Sequence, residues 1–556
     1  MVRDRAAARA FASALVAGGV ELVTAFPGSP TTSLALYLEA HGEDLGIEFR
    51  WAINENVALS QAFGAAMGGR GAAALVKHVG VNVAADALHV MGVVHGLAAP
   101  LLLVEGADAK PGSSQSAQDN RSLYAGSPQL VVVAPTRPAE IAALVRDACR
   151  ISAAAGMLVV VRGDARCFAS EGELPEPEPL ARPTPFCPWP ERGWALATSA
   201  RTYAHHLELR REAIARLRPW IDAQAHGFGL AGELHLAVVV AGHLGLDVAE
   251  AVHARGLPGL RLTVEHPLPE AALVELAGRV HELVVLEECT PTLEDQVRVL
   301  IQRAGLRTTV LGRRELGDLR PIGRLDGDPL AAVLDQVERR CPPGRRTKPT
   351  EVDEPLPVTP SPDPAALLAE LGPVVEAARA ELDASKPATG FPPSDPRRAV
   401  FAHLRGLASR CFIATDPGVT GVLALADHGC DVKMHMGGAV AIAAGFARTR
   451  PAGLAVAVVG DTNLPHSEWL GILDAIDHHD AVLIVVADNG ASEMTQDIVT
   501  PRLAPERALA SLTAAGLACA SATATTDPSD DWAERLTEAA AAIAADPGPR
   551  LVWLRF

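Results

Sequence analysis

The sequence is short of aromatic side chains, basic charge, paired cysteines and long apolar runs, and each shortage narrows what the protein can be. Phe, Trp and Tyr make up 4% of 556 residues, so no aromatic cluster identifies what a pocket would hold. Lys and Arg number 49 against 66 Asp and Glu, a net charge of −17; such a chain is repelled by nucleic acid and by anionic membranes. No apolar stretch approaches the roughly 20 residues that cross a bilayer. The first residues, MVRDRAAARAFASALVAGG, read as an alanine-rich amphipathic helix with Asp4 inside it, unlike a secretory leader; a cytoplasmic location is expected. Eight cysteines are scattered singly, none in a Cys-x-x-Cys pair, so neither a zinc knuckle nor an iron–sulfur ligand set is expected. With 49% apolar and 21% charged residues, the chain can bury the cores of about three domains.

What it has instead is a recurring strand–turn–helix pattern, clearest from Leu454 to Gln496. Leu454 to Val459 reads as a buried strand, Gly460-Asp461 as a turn, Ser467 to about His478 as a helix, Val482 to Ala487 as a second strand and Asp488-Asn489-Gly490 as a polar turn. Short apolar runs ended by Gly or Asp fit a parallel sheet covered on both faces. A strand–helix–strand unit places the two C-terminal strand ends side by side, so Asp461 and Asn489 are expected to face each other. A carboxylate, an amide oxygen and a backbone carbonyl form a hard-oxygen site suited to Mg²⁺ that also holds phosphates. An ordinary crossover with polar turns reads the same way locally.

Near the N-terminus, Glu21 to Phe26 reads as a strand ending in Pro27-Gly28-Ser29-Pro30, followed by a helix from Thr31. That helix start is either a phosphate site or a plain turn. Asn54-Glu55-Asn56 opens an apolar helix to Met67; Glu55 there can be a simple capping acid, favoured by the helix dipole. The stretches AFPGSPTTSL, WAINENVALSQAFGAA, VKHVGVNVAADAL and SSQSAQDNR follow in order, with Gly-Asp, helix, strand and Asn in the last third.

This series resembles the thiamine diphosphate (ThDP)-dependent 2-oxoacid:acceptor oxidoreductases, in particular the large subunits of indolepyruvate:ferredoxin oxidoreductases. The resemblance implies an α/β fold of three domains with parallel sheets. Residues 1–180 would be a ThDP pyrimidine-binding domain, 181–225 a connector with a helix, 226–340 a transketolase C-terminal-like domain, 341–395 a linker and 396–556 the diphosphate-binding domain. ThDP and Mg²⁺ are the implied cofactors. Asp461, Asn489 and the carbonyl near Ala491 would hold the metal, and Gly460 would admit the diphosphate close to the backbone. Pro27, Gly28, His78, Asn82, Thr415, Asp416, Met436, Gly437, Gly438, Thr462 and Ser492 would surround the cofactor. Glu55 would hydrogen-bond the aminopyrimidine and assist loss of the thiazolium C2 proton, a task for a carboxyl group in a dry pocket. His435 and His466 are the candidates for proton transfer or for binding a substrate carboxylate. Ser29, His89, His95, Gln115 and Arg121 are candidate substrate-side residues; for the two histidines a buried, satisfied imidazole is the alternative.

The sequence also departs from that family. Where the relatives open the diphosphate domain with a Cys-Pro-x-Cys-Pro motif, this chain has Phe391-Pro392-Pro393-Ser394-Asp395-Pro396-Arg397, and it closes on a strand, Leu551 to Phe556, where they carry a ferredoxin-like domain. No iron–sulfur cluster is therefore expected. The expected reaction is decarboxylation of a 2-oxo acid, the carbanion equivalent being protonated or added to a second carbonyl or acyl acceptor. One alternative is oxidative decarboxylation of an aryl or branched pyruvate with a separate redox subunit. Another is a non-catalytic ThDP-fold binding subunit, against which Glu55, Asp461 and Asn489 together speak. A homodimer is expected, with the cofactor between the pyrimidine domain of one chain and the diphosphate domain of the other. In the middle, Leu260 to Val264 reads as one strand, Gly242-x-x-Gly245 as a weak nucleotide-turn signal, and Pro364 to about Leu382 as one helix. The charge on Ala200 to Leu217 reads as a solvated helix face, and Arg345, Arg346 and Lys348 as a solvated basic run.

Overall fold

The structure, a computed structural model, describes residues 6–109, 116–126, 130–171, 196–197, 200–316, 324–342, 344, 361–384, 390–449, 453–525 and 530–556. Ser113, Ser114, Gln115, the Pro-rich stretch 181–194 and the basic run Arg345, Arg346 and Lys348 lie outside the described residues. In chain order the strands are β1 (Val20–Ala25), β2 (Glu48–Trp51), β3 (Gly71–Lys77), β4 (Leu101–Ala107), β5 (Val131–Val133), β6 (Leu158–Asp164), β7 (Leu196–Ala197), β8 (Ala225–Phe228), β9 (Leu236–Ala241), β10 (Gly259–Leu262), β11 (Val264–His266), β12 (Glu282–Leu286), β13 (Thr309–Leu311), β14 (Cys411–Thr415), β15 (Val432–Lys433), β16 (Leu454–Gly460), β17 (Val482–Asp488), β18 (Ala518–Thr523) and β19 (Arg550–Arg555). They form three sheets, β11-β5-β6-β4-β3-β1-β2, β13-β12-β9-β10-β8 and β18-β19-β17-β16-β14-β15-β7. Pairing is parallel except for β11 on β5 and β8 on β10. Every residue of β4, β6 and β17 is buried, which is why each opens on a continuous apolar run, Leu101 to Val104, Leu158 to Val161 and Val482 to Ala487, rather than an alternating one. The fold is thus α/β with parallel sheets, as expected. Among the described residues, no helix is long and apolar enough to cross a membrane.

Three local expectations are corrected. Leu260 to Val264 is not one strand: the chain leaves the second sheet after Leu262 and joins the first at Val264, opposite Val133. The buried Thr263 makes the transfer, its N–H bonding Gln224 O at 3.1 Å and its carbonyl accepting from Ala134 N at 2.8 Å. The helix Ala200–Asp222 is not merely solvated on its charged side, since His206, Arg210 and Trp220 are buried. Arg210 donates to Gly92 O at 2.6 Å and to His95 Nε2 at 3.0 Å; charge density in sequence does not reveal which Arg is satisfied inside. Finally, Pro364 to Leu382 is two helices, Pro364–Leu368 and Leu371–Ala384.

The first and third sheets meet within one chain, along the helices Glu55–Met67 and Ala439–Ala447. Both are almost wholly buried, and glycines set their separation. A Cβ at Gly64 would lie 2.0 Å from Ile442 O, and one at Gly445 would lie 1.9 Å from Gln61 O. Backbone cannot swing aside as a side chain can, so Gly445→Ala must force the helices apart. It is expected to lower stability by about 1–3 kcal/mol and the thermal midpoint by several degrees. An unchanged melting curve would refute this account of the contact. Ion pairs flank the crossing: Arg50 forks onto Asp480 at 3.1 and 2.8 Å, and Arg448 Nε reaches the same carboxylate at 2.7 Å.

Candidate active site

A cavity of about 220 Å³ opens where β14, β16 and β17 end. Among the sequence-selected residues it gathers Asp416, Met436, Gly460, Asp461, Thr462, Asn489, Ala491 and Ser492. The β16–β17 register sets Gly460 beside Ala487, and Asp461 N donates to Ala487 O at 3.2 Å. The two strand ends therefore lie side by side, as the strand–helix–strand pattern requires.

The acidic centre of this cleft is larger than the sequence suggested. Asp461 stands beside Asp488, and burial, then the neighbouring Asp488 charge, raises its carboxyl above the usual range. Arg502 bridges the two, its guanidinium bonding Asp461 and lying 3.1 Å from Asp488 Oδ1, while Trp553 Nε1 holds Asp488 Oδ2 at 2.9 Å. Asp488 and Arg502 were not selected from sequence: Asp488 read as turn punctuation, and Arg502 sits in a stretch with no periodicity. Asn489 donates to Glu493 at 2.8 Å and accepts from Ala491 N at 3.3 Å.

These residues fit a Mg²⁺-diphosphate. The donor set is hard oxygen, and the acid pair already draws a cation, the guanidinium of Arg502. A Cβ at Gly460 would meet nothing closer than Asn463 Nδ2 at 3.8 Å, and one at Gly418 nothing within 4 Å, so both glycines leave open space on the cavity side. Thr462 Oγ1 is buried without a hydrogen-bond partner among the described residues, an arrangement that costs free energy unless a ligand completes it. Asp416 is paired with the buried Glu468, and Ala439 N bonds both, at 3.3 and 2.6 Å. Burial first, then the Glu468 charge, pushes the Asp416 carboxyl well up.

Other selected residues have different surroundings. Thr415 is buried and bonds Val432 O at 3.3 Å. Gly437 and Gly438 act by close packing: Cβ atoms there would lie 2.0 Å from Ser467 Cβ and 2.3 Å from His435 Cε1. His435 is buried, 3.4 Å from Ser60 Oγ, and its Nδ1 has no partner among the described residues. Burial pushes it down to about 4, so near neutrality it is an uncharged imidazole and not a cation for a carboxylate. His466 is exposed and bonds Ser467 Oγ.

Glu55 begins its helix behind Asn54, whose side chain accepts from Val57 N at 2.8 Å. Its carboxyl lies against Gly80, where a Cβ would be 2.3 Å from Oε1, and burial raises it above the ordinary range. Ala52, Val57 and Ala58 pack with Ala441, bringing this helix start beside the residues that follow Gly437-Gly438. His78 opens the helix His78–Val83 that carries Gly80, its Nε2 3.1 Å from Ser116 O, and Asn82 of the same helix bonds Gln118. Pro27, Gly28 and Ser29 follow β1, with a Cβ at Gly28 2.7 Å from Lys77 Cβ.

Two substrate candidates are tied up elsewhere. His95 is fully buried between Ala155 O, at 2.9 Å, and Arg210, a satisfied core imidazole. Arg121 pairs with Asp119 at 2.6 Å and Glu287 at 2.9 Å, joining the first domain to the end of β12. His89 is exposed on the helix Ala85–Met91.

Residues 427–552 match the family model "Thiamine pyrophosphate enzyme, C-terminal TPP binding domain". The chain is 25% identical over 505 residues to indolepyruvate oxidoreductase subunit IorA of Methanothermobacter thermautotrophicus, and 26% over 512 residues to that of Archaeoglobus fulgidus. Each match covers 87% of this chain and 74% of the relative. Among solved structures, the 2-oxoglutarate:ferredoxin oxidoreductase of Magnetococcus marinus is similar over 60% of this chain and 64% of that one (TM-score 0.48, 16% identity). The 4-hydroxybenzoylformate decarboxylase of Rhodococcus jostii is similar over 99% and 98% (TM-score 0.46, 15% identity). The cleft at the ends of β14, β16 and β17 lies mostly within the matched residues, so the chain carries a thiamine pyrophosphate enzyme C-terminal domain and is similar over most of its length to the indolepyruvate oxidoreductase subunits.

Proposed function

We propose that the protein binds ThDP and Mg²⁺ and decarboxylates a 2-oxo acid without net oxidation, the product being an aldehyde or a carboligation product. The observation that carries this is the cleft itself, where Asp461 and Asn489 converge beside the buried Thr462 hydroxyl, with Asp488 joined to Asp461 through Arg502. Asp461, Asn489 and the Ala491 carbonyl would hold the metal. ThDP supplies, when bound, an electron sink for the carboxylate-bearing carbon of the substrate. Glu55, its proton affinity raised by burial, holds or releases a proton at a ring nitrogen. Neutral His435 relays a proton without bringing charge into the cleft. The scattered cysteines, none in cluster spacing, favour a non-oxidative outcome. A second reading, oxidative decarboxylation with a separate redox subunit, is favoured by the name of the IorA relatives. A homodimer is the proposed assembly.

A gas-tight assay of a 2-oxo-acid panel with ThDP and Mg²⁺, with and without viologen dye, separates the readings. CO₂ release without dye reduction is the expected result. Dye reduction in step with CO₂ selects the oxidative reading. A melting temperature unmoved by ThDP and Mg²⁺ would instead mean a non-catalytic subunit, because a ligand at 100 times its Kd adds about 2.7 kcal/mol.

A further inference from the structure

We propose that Asp474 is a positioning residue for Glu55, acting from the far side of the domain interface. Asp474 sits on the helix Trp469–Asp477, between β16, which Asp461 follows, and β17, which Asn489 follows. It is 2% exposed. One carboxylate oxygen accepts the backbone N–H of Ile53 at 2.7 Å, and the other accepts Gln61 Nε2 at 2.5 Å. These two donors bracket Glu55, one just before its helix and one on the turns that follow. His478 Nδ1 approaches the same carboxylate at 3.2 Å and Arg50 Nη2 at 4.0 Å.

Bonds to an ionised acceptor are about twice as strong as neutral ones, and two from one buried carboxylate fix an angle as well as a distance. A catalytic acid held on a helix start needs such support, since a displacement of about 1 Å costs on the order of 10²-fold in rate. The element that follows the phosphate turn in the third sheet thus holds the loop that presents the acid from the first.

The inference rests on the role proposed above for Glu55, and the test separates the two. In the cofactor-free protein, Asp474→Asn should speed amide hydrogen exchange in the peptide spanning residues 50–58 at least tenfold, because the Ile53 N–H loses its charged acceptor. With ThDP and Mg²⁺ bound, the same variant should slow deuterium exchange at thiazolium C2, read by quenched proton NMR, about tenfold, while the Kd for ThDP stays within threefold. A purely structural role would weaken binding and exchange together, and that result overturns the proposal. So does an unchanged C2 exchange rate. If Asp474→Asn does not fold, Gln61→Met, which removes one of the two donors, should slow C2 exchange at least threefold, and no slowing there overturns it as well. If the native protein itself fails to bind ThDP or to exchange C2, the reading of Glu55 has failed and this inference falls with it.

Discussion

Glu55→Gln is expected to lower the rate of CO₂ release by a factor of about 10²–10⁴, the range lost with a general acid–base group, while leaving the melting temperature nearly unchanged. The two halves of that expectation share one cause. Glu55 lies against the backbone of Gly80 in a pocket that raises its carboxyl above the usual range, so the folded protein disfavours its charged form. By linkage, a carboxyl raised in the folded state adds no stability at neutral pH that its neutral isostere would forfeit. Gln keeps the shape and offers an amide to a ring nitrogen, yet cannot exchange a proton. The affinity for ThDP should therefore fall only a few-fold, and the loss should sit in turnover. Steady-state kinetics with the best substrate of the panel, beside a ThDP titration, reads both numbers. Activity within threefold of the native protein would remove Glu55 from the chemistry.

Part of this site is legible in sequence because it follows from strand ends. Asp461 and Asn489 each follow a buried apolar run, and any parallel strand–helix–strand unit must bring such ends together; Glu55 was picked out only by the resemblance of WAINENVALSQAFGAA to the family, since a capping acid at a helix start reads the same way locally. Asp488 and Arg502 were not, since their pairing depends on how the turn after β17 folds back. Asp474 looks like any polar position on an amphipathic helix, and only the packing of the first sheet against the third gives it Ile53 and Gln61 as partners. The same holds for Thr263, which carries the chain from one sheet to another. The run Leu260-Arg261-Leu262-Thr263-Val264 alternates apolar and polar residues as a single strand would, and nothing in it says that the run is shared. Arg210 and His95 show the converse failure: a charged helix and a lone histidine invite solvent and substrate, yet they satisfy each other inside the first domain.

Acidification from pH 7.5 to 5 is expected to destabilise the protein steeply, and buried histidines set the slope. Burial pushes His206 down to about 3 and His226, His266 and His435 down to about 4, with His95 also well below its ordinary value. A histidine lowered in the folded state binds its proton first in the unfolded chain, so stability falls as pH drops through the unfolded value near 6.5 and keeps falling until the folded value is reached. A single imidazole shifted from 6.5 to 4 costs about 2 kcal/mol at pH 5. The raised carboxyls of Asp461 and Asp416 pull the other way as they take up protons, so the net curve alone does not isolate the histidines. His226→Gln does. His226 lies in β8, 3.4 Å from Thr263 Oγ1 and away from the cleft, and Gln retains a polar group of similar reach without a proton to gain. Urea unfolding of the native protein and this variant at pH 7.5 and pH 5 should show the variant losing about 2 kcal/mol less across the interval, whatever its stability at the start. Equal losses in the two proteins would mean that His226 is already solvated and titrates as an ordinary surface imidazole.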